Sequence, residues 1–162
     1  MYFIGVLNRQ KAKAYSLNTK KQIKTAIISI CDIDKEYNKI KITNDNVCKA
    51  LFLRFEDTAD PDSDFAITTK DADKIAKFVK NLDKDIEQII VQCEAGVSRS
   101  AGVAAAILKH YSGDDSQIYD NPKYIPNNLC YRKVLEALYY FGDDYSIEDS
   151  LKFNNMKFSS LQ

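Results

Sequence analysis

The stretch "IIVQCEAGVSRSAG", residues 89–102, decides how this chain is to be read. It opens with Ile89, Ile90 and Val91, an apolar run of the kind that forms a strand covered on both faces. The run stops at Cys93, and small or polar residues carry the chain to Arg99 and Ser100. From Ser98, "SRSAGVAAAILKHY" is dense in alanine and reads as a helix closed by "SGDD". Strand, loop and helix start follow one another, with a thiol, a guanidinium and two hydroxyls at the junction.

Such a junction has a definite chemistry. A loop passing from a strand into a helix points backbone N–H groups inward, and the helix N-terminus adds partial positive charge. Together they cradle a tetrahedral oxyanion. Gly96 allows an unusual dihedral or a close approach of the backbone to a ligand. Arg99 adds a forked, permanently charged donor able to grip two oxygens. Helix N-termini and adjacent cations generally lower thiol pKa values from ~8.5 into roughly the 3.5–7.5 range. The expectation is a thiolate from Cys93 beneath a bound phosphate, placed for attack at phosphorus. Ser100 is placed to hydrogen-bond the sulfur and stabilise it as a leaving group.

Working outward, four segments begin as strands: 2–7, 25–32, 49–55 and 88–93. "TTKDADKIAKFVKNL" carries Ile75, Phe78, Val79 and Leu82 at helical spacing, with Thr68 or Thr69 as N-cap and Asp71 as a first-turn acid. "IPNNLCYRKVLEALYYFG" reads as a helix with Pro126 near its start and Gly142 at its stop, and Leu129, Val134, Leu135 and Leu138 face a core. A short helix is expected in "SIEDSLKF", 146–153. Alternating strands and helices predict an α/β fold, with a mainly parallel central sheet flanked by helices in one domain spanning 1–162. Ligands in such sheets sit at the carboxyl ends of strands, and Cys93 ends one.

Composition narrows the function classes. The 162 residues carry 23 basic and 23 acidic side chains, so no basic excess favours nucleic acid or anionic lipid, and neither is expected as a partner. Cys31, Cys48, Cys93 and Cys130 are scattered, form no Cys-x-x-Cys pair, and meet a single histidine, so no zinc spacing is present. The first residues, "MYFIGVLNRQ", lack the features of a secretion leader, and no apolar run reaches membrane-spanning length. A cytoplasmic, thiol-reduced protein is expected.

The string Cys93, five residues, Arg99 and Ser100 resembles the phosphate-binding signature of the cysteine-based protein phosphatases, and "CEAGVSRS" is similar to their dual-specificity branch. "FLRFED" resembles that family's strand leading into its general-acid loop, and "IPNNLCYRKVL" its downstream Pro-Asn helix start. The likeness covers roughly residues 25–140. It implies a cysteine-phosphatase-like fold, no metal and no cofactor, and hydrolysis of phosphotyrosine in a phosphorylated protein or peptide through a phosphocysteine intermediate. Phosphoserine and phosphothreonine are further candidate substrates. The residues carried over are Cys93 as nucleophile, Arg99 and the loop from Glu94 through Ala95, Gly96, Val97 and Ser98 as phosphate-binding groups, and Ser100 in the second step. The family usually has histidine before the nucleophile, and here Gln92 stands there.

A leaving alcohol or phenol needs a proton donor, worth typically ~10²–10⁴-fold. In "EDTADPDSD", Asp57 directly follows the strand and matches the family's acid, with Asp60 second. Asp60, Asp62 and Asp64 are spaced like the start of a calcium loop, but Phe65 stands where the turn glycine belongs. A solvated acidic loop is the expected reading. His110 suits a favourable charge at a helix end, and Arg9, Lys11, Lys13, Lys20, Lys21 and Lys24 a solvated face. Cys31, Cys48 and Cys130 are expected in or near the core. Two rival functions remain: a phosphopeptide-binding module with weak turnover, and a thiolate enzyme of arsenate reduction or sulfur transfer.

Overall fold

The structure, a computed structural model, describes residues 2–17, 23–33 and 39–140. The helix expected over 146–153 and the stop at Gly142 lie outside the described residues. Four strands form one sheet: β1 (Phe3–Asn8), β2 (Thr25–Cys31), β3 (Val47–Arg54) and β4 (Gln88–Cys93). Their order is β1-β4-β2-β3, and every pairing is parallel. β4 lies inside the sheet, paired in register from Phe3↔Gln88 to Asn8↔Cys93 on one side and from Thr25↔Gln88 to Ser29↔Gln92 on the other. Near-continuous apolar runs predict coverage on both faces for most of the four strands, and the inner strands β2 and β4 have it. β2 is buried along its whole length, whereas the edge strand β3 is mostly half-buried and Phe3 on edge strand β1 is exposed.

Alternation along the strands divides the buried side chains between two faces. Ile4, Val6, Ala26, Ile28, Ile30, Ile89, Val91 and Cys93 join the larger core. Three helices close that core: α2 (Thr69–Lys80), α3 (Arg99–Ser112) and α5 (Asn128–Tyr140). Leu129, Val134, Leu135 and Leu138 are all buried in it, as their spacing requires. Ile27, Ser29, Ile90 and Gln92 point to the opposite face and are also buried. There α1 (Arg9–Leu17) packs on the sheet through Ala12 and Ser16. The Thr43 and Asn44 N–H groups both donate to the Ser16 carbonyl, at 3.0 and 2.9 Å.

Local signals explain most element ends. Thr68 caps α2 reciprocally: its hydroxyl accepts from the Asp71 N–H at 3.1 Å, and the Asp71 carboxylate accepts from the Thr68 N–H at 2.9 Å. Such a cap contributes about 1 kcal/mol. Gly113 ends α3 at φ 75°, its N–H returning to the Lys109 carbonyl. Two helices are additions to the sequence reading. α1 forms where only a solvated basic face was expected; Lys11 and Lys13 are indeed exposed, but Asn8 caps a helix by accepting from the Lys11 N–H at 2.8 Å. α4 (Ser116–Tyr119) is a single turn, too short to show a period.

One contact decides where the site forms. A Cβ on Gly102, in the first turn of α3, would lie 2.4 Å from the Asn127 carbonyl oxygen. The absent side chain lets the start of α5 sit directly on the start of α3. Among the described residues no helix is long and apolar enough to cross a membrane.

Candidate active site

β4 delivers Cys93 to the carboxyl edge of the sheet, and residues 94–98 turn the chain into α3. Gly96 adopts φ 64°, and a Cβ there would lie 2.5 Å from the Asn8 nitrogen and 2.7 Å from the Leu7 carbonyl carbon. Glycine is needed because the loop folds onto the end of β1; the close approach is to the chain's own backbone.

Three carbonyls of this loop are held outward by neighbouring backbone. Glu94 O accepts from the Arg9 N–H at 3.2 Å, Val97 O from the Ile125 N–H at 3.0 Å, and Ser98 O from the Asn127 N–H at 3.0 Å and the Gly102 N–H at 2.9 Å. Every described peptide bond is trans, so each N–H points opposite to the carbonyl of the same peptide plane. The N–H groups of Ala95, Ser98 and Arg99 are thereby turned toward the inside of the loop. A ring of inward amides at a helix N-terminus is an anion cradle.

Inside it, Cys93 Sγ lies 3.0 Å from Ser100 Oγ, and both side chains are buried. Arg99 is buried as well. Its Nη1 donates to the Phe55 carbonyl at 2.8 Å and pairs with Asp32 Oδ1 at 2.6 Å, while its buried Nε has no hydrogen-bond partner among the described residues. Burial by itself would lower the guanidinium's pKa. The bond to Asp32 and the charges of Cys93, Asp32 and Asp57 outweigh it and hold the pKa above its ordinary value. Arg99 is a fixed cation.

The acidic loop meets this cradle at one point. Asp57 Oδ1 accepts from Ser98 Oγ at 2.8 Å and from Asn127 Nδ2 at 2.9 Å. Asn127 also donates to the Thr58 carbonyl at 3.1 Å and, through Oδ1, accepts from the Cys130 N–H at 3.0 Å. One amide thus caps α5 and holds the acidic loop on the phosphate loop. Asp60 is spent elsewhere: its Oδ1 accepts from the Asp62 N–H at 3.0 Å within its own exposed turn.

Gln92 points to the other face, where its Oε1 accepts from Ser29 Oγ at 2.6 Å. Its Nε2 is buried with no hydrogen-bond partner among the described residues. Glu94 and Ala95 are exposed at the mouth, and Gly96 is buried. His110 lies in the last turn of α3 against Tyr111 and Tyr139, remote from the cradle along the helix.

The other cysteines divide. Cys31 is buried on the opposite face of the sheet from Cys93 and accepts from Arg9 Nη1 at 3.4 Å. Cys130 is buried in the core, and burial pushes its thiol far above the usual range. Cys48 departs from the expectation of a core position: it is exposed, because the edge strand β3 has no neighbour to cover its start.

The structure therefore brings together Cys93, Arg99, Ser100, Ser98 and Asp57, all anticipated from sequence, and leaves Asp60 outside. It adds Asp32 and gives Asn127, the asparagine of the resembled Pro-Asn helix start, its contacts with Asp57 and Thr58. Asn127 carried a legible signal, since asparagine before a helix is a favoured cap. Asp32 carried none beyond its place at a strand end.

The four-stranded parallel sheet flanked by helices is a dual-specificity phosphatase-like fold. Among solved structures, the crystal structure of DUSP15 is similar to this one with a TM-score of 0.61, covering 96% of this chain and 92% of that chain at 18% sequence identity. By sequence alone, no family model and no curated protein matches the chain.

Proposed function

We propose that this protein hydrolyses phosphomonoesters on phosphorylated protein, phosphotyrosine first, through a phosphocysteine intermediate. The observation that carries the reading is the convergence on one loop of the Cys93–Ser100 pair, the Arg99 guanidinium and the Asp57 carboxyl. In the first step Cys93 sulfur attacks phosphorus, the S–P bond forms and the P–O ester bond breaks. The leaving oxygen takes the proton of the Asp57 carboxyl. In the second step water attacks phosphorus and gives its proton to the Asp57 carboxylate, and the S–P bond breaks. The departing sulfur regains its electron pair, stabilised by a hydrogen bond from Ser100. The products are a phenol or alcohol and inorganic phosphate. Inward amides and Arg99 carry the larger share of the catalysis, because phosphoryl transfer depends mainly on positioning and charge stabilisation.

Arsenate reduction or sulfur transfer would need a second thiol within reach of Cys93. Cys31 on the opposite sheet face, exposed Cys48 at the far end of β3 and Cys130, with its thiol held protonated, all fit that role poorly. Exposed Glu94 and the acidic loop with Asp57, Asp60, Asp62 and Asp64 disfavour polyanionic inositol phosphates.

A substrate panel tests the reading. Phosphate release is expected to be fastest from phosphotyrosine peptides, slower from phosphothreonine and phosphoserine peptides, and slowest from inositol polyphosphates. Binding of the phosphopeptides without phosphate release from any of them would replace the enzyme reading with that of a phosphopeptide-binding module.

A further inference from the structure

The ion pair behind the phosphate loop has its own logic. Arg99 Nη1 carries two N–H bonds, and it has two acceptors: the Phe55 carbonyl at 2.8 Å and Asp32 Oδ1 at 2.6 Å. Those acceptors come from different strands, Asp32 from the exit of β2 and Phe55 from the exit of β3. The two exits are themselves joined, the Phe55 N–H donating to the Cys31 carbonyl at 3.2 Å. Both members of the ion pair are shielded, with side-chain exposure of 6% for Arg99 and 14% for Asp32.

A planar guanidinium tied at one nitrogen by two acceptors has its plane fixed. The opposite edge, made of Nε–H and one Nη2–H, is the parallel fork that grips two oxygens of a tetrahedral anion. Nε on that edge is buried and has no hydrogen-bond partner among the described residues. With only the Phe55 carbonyl left, the guanidinium would keep a single anchor and could turn about it. Asp57 also acts electrostatically on Arg99, and its Oδ1 is engaged by Ser98 and Asn127.

We infer that Asp32 is a positioning residue, which turns the Nε edge of Arg99 toward the bound oxyanion by holding Nη1 from behind. The inference rests on the anion-cradle reading of the loop and deepens it, but it does not need turnover. Two effects of Asp32 oppose each other at the site. Its negative charge weakens the attraction for an anion, while its acceptor oxygen holds the fork in the binding orientation. Orientation wins, because the fork is useful only when both its N–H bonds face the ligand, and each hydrogen bond to a charged group that is lost costs about 10- to 10²-fold in affinity.

Titrating tungstate into the full chain by calorimetry reads the effect without catalysis. Asp32→Ala is expected to weaken tungstate binding by about 10- to 10²-fold, the cost of about one charge-assisted hydrogen bond. Asp32→Asn, which loses the charge and keeps an acceptor oxygen, should recover most of that affinity. Should the alanine variant fail to fold, Asp32→Ser, too short to reach Nη1, replaces it with the same expected loss. Tungstate binding as tight as or tighter than that of the unaltered protein, in a folded alanine or serine variant, overturns the proposal. So does a lowered melting temperature with unchanged affinity, which would make the pair purely structural. Absence of phosphatase activity in the unaltered protein would overturn the proposed function and leave this titration fully readable.

Discussion

Replacing Cys93 with serine is expected to lower phosphate release from an aryl phosphate by at least about 10⁴-fold, because removal of a covalent nucleophile leaves only the binding contribution of the site. The substitution is nearly isosteric, and the cradle is built by other groups. Glu94, Val97 and Ser98 keep their carbonyls turned outward, Gly96 keeps its seat on β1, and Arg99 keeps both anchors. The Cys93→Ser protein should therefore still bind phosphate or tungstate, and steady-state kinetics beside calorimetry would show activity lost with affinity retained. Equal activity in the two proteins, from clean preparations across mildly acidic to neutral pH, would remove the enzyme reading.

Asp57→Asn is expected to have the second largest effect, a loss of about 10²–10⁴-fold on substrates with a poor leaving group. The amide oxygen can still accept from Ser98 and Asn127, so the loop should keep its place and only the proton should be missing. Two signatures separate this from a structural defect. The loss should shrink as the leaving phenol becomes more acidic, and the alkaline limb of the pH–rate profile should flatten, since there is no longer an acid to deprotonate. Asp60→Asn should change little, because that carboxylate serves its own turn. A large loss for Asp60→Asn with none for Asp57→Asn would show that the wrong acid has been assigned.

Both predictions use residues readable in the sequence, and the reason is locality. Cys93, Gly96, Arg99 and Ser100 lie in one short segment whose strand run, loop and alanine-dense helix are each set by neighbours along the chain. The capping pair Thr68 and Asp71 and the stop at Gly113 are legible for the same reason. The helix α1 was not, because only Ala12 and Ser16 are buried, and two small side chains leave almost no apolar period among exposed lysines. Cys48 looked like a core residue because composition says nothing about which strand is an edge; the order β1-β4-β2-β3 does.

Asp32, and the contacts of Asn127 though not Asn127 itself, mark the other boundary. Their importance comes from the exits of β2 and β3 and the first turn of α5 meeting at the phosphate loop. That meeting depends on sheet order and on the close approach of the Asn127 backbone to Gly102, neither of which one sequence displays. Gln92 is a partial case. Its difference from the usual histidine was visible at once, but its partner Ser29 on the neighbouring strand follows only from the register Ser29↔Gln92.

The most direct test is a crystal structure of the protein with vanadate. The account predicts vanadium bonded to Cys93 sulfur, with its equatorial oxygens on the loop amides and on the Nε edge of Arg99, and an apical oxygen facing Asp57. A site that takes up no vanadate at saturating concentration, with the Cys93 sulfur packed into hydrocarbon and the loop amides turned outward, would contradict it.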